Sequence, residues 1–188
     1  MRTREDILAA TLDLAVEFGL ESVSLSKILK KAGLGSGTVY NRFSSKRALV
    51  TILFRESADF RDREVMATYC FTGSLKDRFG DFLRGNARFA LEHPKEFAFL
   101  ERYGTSPGII HEIRERVTFS QQIALSLFDE GRASGVFAVL DSVLGLQLAT
   151  GALAAVMQGH LAGRLHIKED DIERIIEGCW RAVTKAPS

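Results

Sequence analysis

The chain has 188 residues, of which 46% are hydrophobic and only three are proline. This size and composition predict a folded domain, or a small module joined to a larger one, and exclude extensive disorder. The formal net charge is +1, with 25 Lys and Arg against 24 Asp and Glu, so the total charge favours no nucleic-acid partner by itself.

Two cysteines, Cys70 and Cys179, lie far apart and outside any C-x-x-C or metal-spaced cluster, so we expect free thiols and no disulfide or metal site. The N-terminal segment is amphipathic and does not resemble a signal peptide. The most apolar stretch, residues 143–157, is interrupted by Gln147 and Thr150 and is short of the ~20 residues that span a bilayer. We therefore expect a soluble cytoplasmic protein without membrane contact.

Helical periodicity predicts four helices in the first part of the chain, at about residues 4–18, 25–32, 36–43 and 46–69. The apolar stripe of the first helix consists of Ile7, Leu8, Leu14, Ala15 and Phe18. Ser24 is a good N-cap for the second helix, and Gly33 is a good stop before a short turn. Ser36 can cap the third helix, and Ser44 or Ser45 can cap the fourth.

The second part of the chain begins after a linker at residues 70–74. Its predicted helices lie at about residues 75–92, 94–103, 109–132, 141–161 and 169–183. The fold class is therefore all-α, with about nine helices and no strand. We expect a three-helix helix-turn-helix domain over residues 1–50, a connecting helix over 46–69, and a helical effector-binding and dimerisation domain over 70–188.

Positive charge is concentrated between Ser24 and Arg47, a segment with six cations and no acid. The cations are Lys27, Lys30, Lys31, Arg42, Lys46 and Arg47. A basic helix-turn-helix commonly places its second helix in the major groove of DNA. Two alternatives stay open: the lysines of the second helix can form a merely solvated face, and a helix-turn-helix can belong to a protein that never touches DNA.

The third predicted helix carries the residue types that read DNA. Its first residues, Ser36, Gly37 and Thr38, are small or polar and allow the backbone to approach the groove. Tyr40 could donate to a phosphate, Asn41 could read an adenine, and Arg42 could reach a guanine edge or a phosphate. Phe43 is expected to anchor the helix in the core. Lys46 stands at a helix start, where the helix dipole disfavours a cation, and this indicates an anionic partner.

Residues 33–49, GLGSGTVYNRFSSKRAL, resemble the signature of the tetracycline-repressor (TetR) family of bacterial transcription regulators. The resemblance covers about residues 4–55 without gaps. It implies that Tyr40 and Lys46 contact phosphate and that Ser36, Gly37, Thr38, Asn41 and Arg42 face the groove. The pair Asn41-Arg42 replaces more usual aromatic or His residues, which leaves the recognised DNA sequence open. The DNA-binding candidates are Ser24, Lys27, Ser36, Gly37, Thr38, Tyr40, Asn41, Arg42 and Lys46.

Phenylalanines stand out in the second part of the chain, where Phe79, Phe82 and Phe89 share one helical face with Asn86. The amide of Asn86 needs a partner, which is either a neighbouring helix or a ligand in an apolar pocket. The ligand-binding candidates are Phe82, Asn86, Phe89, Tyr103, Phe119, Gln122 and Gln147. The four histidines are scattered and no catalytic constellation is recognisable, so we expect no enzyme, no metal site and no cofactor.

The last two predicted helices favour self-association. Residues 141–161 are apolar nearly all round and rich in Gly and Ala, and a helix of this kind must be buried on more than one side. We predict that this helix and residues 169–183 form a four-helix bundle with a second copy, in agreement with the dimers of the family. The interface candidates are Gly145, Leu148, Ala152, Ala155, Ile172, Ile176 and Trp180.

The sequence thus favours a homodimeric transcription regulator that binds a near-palindromic operator in double-stranded DNA. The leading hypothesis is a repressor that an unknown small apolar or amphipathic effector releases, with the connecting helix as transmitter. Activation in place of repression stays open. The alternative function is a helical interaction or scaffold protein whose basic module binds an acidic protein partner.

Overall fold

The computed structural model describes residues 2–35, 43–106, 118–138 and 141–185. Over these ranges the chain forms eight α-helices, one short 3-10 helix at Leu20–Ser22, and an isolated β-bridge between Phe137 and Thr184. The helices are α1 (Arg2–Phe18), α2 (Leu25–Lys31), α3 (Lys46–Met66), α4 (Leu75–Glu92), α5 (Pro94–Tyr103), α6 (Phe119–Ala133), α7 (Ser142–Leu161) and α8 (Glu169–Val183). The predicted all-α class is confirmed. The predicted helix at 36–43, except its last residue, lies outside the described residues. The predicted helix at 109–132 is wrong as one continuous helix, because Thr118 is an extended N-cap and α6 begins at Phe119; residues 109–117 lie outside the described residues.

The chain divides into two compact units. One contains the described residues of Met1–Asp59 and Lys95–Arg116, and the other those of Phe60–Pro94 and Val117–Ser188. The units do not coincide with the contiguous ranges 1–50 and 70–188, because α5 belongs with the N-terminal helices. Phe99 of α5 is fully buried in the first unit, where its ring centroid lies 6.2 Å from that of Phe54.

The first unit has an aliphatic core made by α1, α2 and α3. Ile7, Ala15, Ile28 and Leu49 have no exposed surface, and Phe43 is buried as the sequence predicts. Burying such side chains contributes about 1.5–3 kcal/mol each for the larger ones. The predicted stripe of α1 is wrong at its last residue, since Phe18 is 56% exposed. Phe18 is the last residue of α1 and lies beyond the part of the helix that packs against the core.

The second unit has an aromatic core. Phe79 of α4 lies 6.1 Å from Phe128 and 5.3 Å from Trp180, while Phe128 and Phe137 lie 4.8 Å apart, all as ring centroids. Gly145 of α7 allows Phe128 to approach closely, because a Cβ there would lie 2.7 Å from the Phe128 ring. Helix α7 therefore packs closely against α6.

Helix α7 has one buried and one exposed apolar face. Ala149, Leu153 and Met157 are at most 2% exposed, whereas Leu144 and Leu148 are 59% and 43% exposed. Among the described helices, α7 is the one that is long and apolar enough, by length and composition, to cross a membrane. That criterion is weak for a single helix, because the core helix of a soluble protein meets it too.

Candidate nucleic-acid interface

The start and stop of α2 follow the capping chemistry that its sequence encodes. The Ser24 hydroxyl accepts a hydrogen bond from the backbone N–H of Lys27 at 3.3 Å, as an N-cap does. At the other end the Gly33 N–H donates to the Lys30 carbonyl and the Leu34 N–H donates to the Leu29 carbonyl, which is a Schellman motif. These hydrogen bonds therefore fix the direction in which the chain leaves α2.

The short 3-10 helix at Leu20–Ser22 holds two of the predicted DNA-binding lysines. The Lys27 ammonium donates to the Ser22 carbonyl at 2.9 Å, and the Lys46 ammonium donates to the Leu20 carbonyl. The Leu20 N–H in turn donates to the Tyr103 hydroxyl at 2.9 Å. The starts of α2 and α3 are thus attached to one turn of the backbone.

Lys46 has a structural partner that the sequence does not reveal. The helix dipole disfavours a cation at the start of α3, and the Leu20 carbonyl offsets part of that cost. The cation is therefore not by itself a sign of an anionic ligand. An ammonium group has three N–H donors, so the half-buried Lys46 keeps donors that can meet a phosphate.

Asp13 of α1 changes the charge that the basic segment presents. Its carboxylate lies 2.6 Å from the Lys95 ammonium and 3.5 Å from that of Lys31. The hydrogen bond from Lys95 holds the pKa of Asp13 below its usual value. The positive charge of Lys31 is thus partly neutralised, whereas Lys30 has no charged partner among the described residues. The link to Lys95 was missed in the sequence, because the two residues are far apart in the chain.

Three of the nine DNA-binding candidates, Ser24, Lys27 and Lys46, have described positions around this turn. The other six lie outside the described residues: Ser36, Gly37, Thr38, Tyr40, Asn41 and Arg42. The segment that holds them is bounded by the Schellman motif on one side. On the other side Phe43 is buried, and the Ser45 hydroxyl accepts a hydrogen bond from the Ala48 N–H as α3 begins.

The predicted ligand-binding residues have different surroundings. Phe82 and Phe89 are core residues of α4, and the Asn86 amide donates to the Phe82 carbonyl at 2.8 Å. One N–H of this amide is thus satisfied within α4, because the side chain of a helical asparagine can reach the backbone carbonyl four residues before it. The hydroxyl of Tyr103 is bonded to the backbone of Leu20 and Ala15. The other three candidates are exposed: Phe119, Gln122 and Gln147.

A surface groove of about 230 Å³ lies between α4 and α8, and none of the seven ligand candidates lines it. Phe79 and Trp180 form part of its wall. Its charges are paired within the chain, since Arg84 binds Glu173 and the Lys76 ammonium lies 2.7 Å from the carboxylate of Glu177. Paired charges leave little to attract an ionic ligand.

The predicted dimer residues separate into three groups: exposed, buried and intermediate. Leu148, Ala152 and Ala155 are exposed on α7. The prediction needs correction at Gly145, which is buried beneath Phe128, and at Ile176, which is 6% exposed and lies over Gly80. Neither offers surface to a second copy.

Two residues of α8 are intermediate. Trp180 is part-buried because it packs edge-to-face on Phe79 and Phe137, and Ile172 is half-buried. The apolar stripe of α8 thus serves mainly the core of its own unit.

A capped helix, a glycine turn and a basic flank within an all-helical chain define a helix-turn-helix regulator. The family model described as "Bacterial regulatory proteins, tetR family" matches residues 7–51, and one described as "Tetracyclin repressor-like, C-terminal domain" matches residues 74–184. The chain belongs to the tetR family of bacterial regulatory proteins.

Solved structures support the same fold over the whole chain. A TetR family transcription regulator from Marinobacter aquaeolei VT8 is 23% identical with a TM-score of 0.88, over 98% of this chain and 97% of that one. A putative transcriptional regulator of the TetR family from Vibrio parahaemolyticus is 27% identical with a TM-score of 0.78, over 98% and 100%. The Bacillus subtilis (strain 168) protein called "Uncharacterized HTH-type transcriptional regulator YvdT" is 50% identical over 46 residues. That match spans about a quarter, 24%, of each chain.

Proposed function

We propose that this protein is a homodimeric repressor that binds a near-palindromic operator through the segment from Ser24 to Lys46. The observation that carries the proposal is the attachment of Lys27 and Lys46 to one backbone turn. Both cations stand at helix starts beside a segment without acids, and such a surface attracts the phosphate backbone. We propose phosphate contacts for Tyr40 and Lys46, and groove contacts for Ser36, Gly37, Thr38, Asn41 and Arg42. Regulation, and not catalysis, is the activity that we assign.

The exposed face of α7 supports a dimer. Leu144, Leu148, Ala152 and Ala155 recur at i, i+4, i+8 and i+11, so they lie along one face of the helix and form an apolar strip. A two-fold axis beside this strip would cover it with its own copy and would present two reading segments to the two half-sites. We propose that a second subunit covers the strip, and not lipid, and that the protein acts in the cytoplasm.

We propose that a small apolar or amphipathic effector releases the operator. The domains that we assign are residues 1–50 for DNA and 70–188 for effector and dimer, with α3 as transmitter. Within the first unit, the chain Tyr103–Leu20–Lys46 offers a direct route to the phosphate contact, because a shift of α5 would pull on the turn that holds Lys46. An effector must bind the two conformations unequally to act in this way.

The DNA proposal is tested by the salt dependence of binding. The double variant Tyr40→Phe, Lys46→Ala should bind all duplex DNA more weakly. The slope of log K against log salt should decrease in magnitude by roughly one to two per subunit. Each phosphate contact releases counterions when it forms, so a variant with fewer contacts releases fewer of them. Fluorescence anisotropy with a random duplex between low and moderate salt gives the slope.

Lys76→Ala is the matched control, since it removes an exposed cation from the second unit. The control slope should equal that of the wild type. A double variant that remains folded by circular dichroism and keeps the wild-type slope would overturn the phosphate assignment.

A further inference from the structure

A group of potential metal ligands lies outside the DNA-binding segment. Glu64 of α3 and the adjacent residues Glu92 and His93, at the end of α4, place their ligand atoms within 4.8 Å of one another. All three belong to the second unit. Metal–ligand bonds to imidazole and carboxylate are about 2.1 Å long. Small rotations of the exposed Glu92 side chain would therefore bring all three onto one ion.

The two carboxylates lack a compensating charge. Within the described residues, neither receives an ion pair or a hydrogen bond. The neighbouring arginines are engaged elsewhere, since Arg88 donates to the Glu64 backbone carbonyl and the Arg63 guanidinium lies over the Phe60 ring. Glu92 is also the last residue of α4, where the helix dipole disfavours a negative charge. A bound cation would relieve both the repulsion and the dipole cost.

His93 is held in place by packing. Its ring centroid lies 4.6 Å from that of Phe60 and 5.4 Å from that of Phe89, and its backbone N–H donates to the Phe89 carbonyl as α4 ends. Its ring nitrogens form no hydrogen bond within the described part of the chain. An imidazole that is oriented and unbonded in this way is well placed to bind a metal ion.

We propose that Glu64, Glu92 and His93 bind one divalent transition-metal ion, with water in the remaining positions. One imidazole and two carboxylates suit Zn²⁺, Ni²⁺ or Mn²⁺ better than Mg²⁺ or Ca²⁺, which prefer oxygen ligands alone. The ion would join α3 to the C-terminal end of α4. The proposal goes beyond operator binding, and either one can fail without the other.

The test uses the full chain with Cys70→Ser as background, because the exposed Cys70 thiol is a competing zinc ligand. Zinc is titrated into chelator-treated protein by calorimetry, and the Tm is measured with and without zinc. We expect one zinc per chain and a rise in Tm as zinc exceeds its Kd. Glu64→Gln and Glu92→Gln should each weaken binding at least about tenfold, since each removes a direct ligand. Magnesium should change nothing.

Glu17→Gln is the matched control, because Glu17 is exposed on α1 in the other unit. It should bind zinc as the background does. Equal zinc affinity in all three Gln variants would overturn the site. A second readout excludes an internal ion pair: without metal, Glu64→Gln and Glu92→Gln should not lower the Tm. A lower Tm in both, with no zinc effect in the background, would mean that the two carboxylates are already compensated within the chain, and the proposal would fail.

Discussion

Gly33 occupies the left-handed region of backbone space, with a φ of +70°, where α2 gives way to the turn. No atom lies within 4 Å of the position that a Cβ would take, so space does not require glycine there. The backbone does, because the Schellman motif needs a left-handed residue after the helix. The direction in which the chain leaves α2 towards the DNA-binding segment thus depends on glycine at position 33.

Gly33→Ala should lower the free energy of unfolding by about 1–2 kcal/mol, the cost of a side chain in left-handed backbone. Gly35→Ala is the control, because Gly35 has equal space around its Cβ position and no positive φ. It should stay within about 0.5 kcal/mol of the wild type or gain stability slightly. Urea unfolding measures both variants. Equal losses would contradict the assigned turn geometry.

Leu20 begins a turn that takes part in three hydrogen bonds within the first unit. Its own carbonyl accepts from Lys46 and its own N–H donates to Tyr103, while the Ser22 carbonyl at the end of the turn accepts from Lys27. None of these bonds depends on the leucine side chain. A substitution that changes only that side chain therefore leaves the three bonds possible, which is why sequence patterns gave no sign of the residue's role.

At the scale of the helices, local signals predicted boundaries well. Helix α4 spans Leu75–Glu92 as expected, because Ser74 and Asp77 form a capping box at its start. Helix α5 begins at Pro94, in the first turn, where the missing N–H of proline costs nothing. Such signals involve residues within four positions of one another, so they can be read from the sequence.

The faces of the helices were predicted less well, because periodicity does not say what covers an apolar face. Helix α7 is apolar on two sides, and only the fold decides that Gly145 meets Phe128 while Leu148 stays exposed. The Asn86 amide donates a hydrogen bond to the backbone of its own helix, a possibility that the spacing of residues along the sequence did not exclude. Glu64 lies near His93 because α3 packs against α4. The spacing of the histidines along the sequence therefore could not reveal this group of potential metal ligands.

Gly145→Ala should lower the free energy of unfolding by about 1–3 kcal/mol, because its Cβ would lie 2.7 Å from the Phe128 ring. Gly178→Ala, at an exposed position of α8, is the control. No atom lies within 4 Å of its Cβ position, so the gain in helix propensity should stabilise the protein by up to about 1 kcal/mol. Thermal unfolding at matched protein concentration distinguishes the two. A Gly145→Ala variant as stable as the wild type would contradict the close contact between α7 and Phe128.

At the scale of the whole molecule, the outer face of α7 exposes apolar side chains to solvent. Val143, Leu144 and Leu148 are each more than 40% exposed in a single chain. Contiguous exposed apolar residues on a soluble protein mark an interaction surface. The net charge of +1 gives only weak electrostatic repulsion between two copies. A symmetric contact through this strip is therefore favoured by apolar burial and only weakly opposed by charge.

Leu148→Asp should convert the protein to a monomer, because a two-fold contact would bury two like charges in the apolar strip. Burial of an unpaired charge costs several kcal/mol, and a standard interface of about 1,600 Å² does not absorb two such losses. Val136→Asp is the control, since Val136 is 38% exposed and lies outside α7. Light scattering after gel filtration should give a monomer mass for the first variant and a dimer mass for the second. The monomer should also lose operator affinity far more than affinity for a half-site, because one reading segment remains intact. A Leu148→Asp variant that stays dimeric and folded would place the interface elsewhere on the molecule.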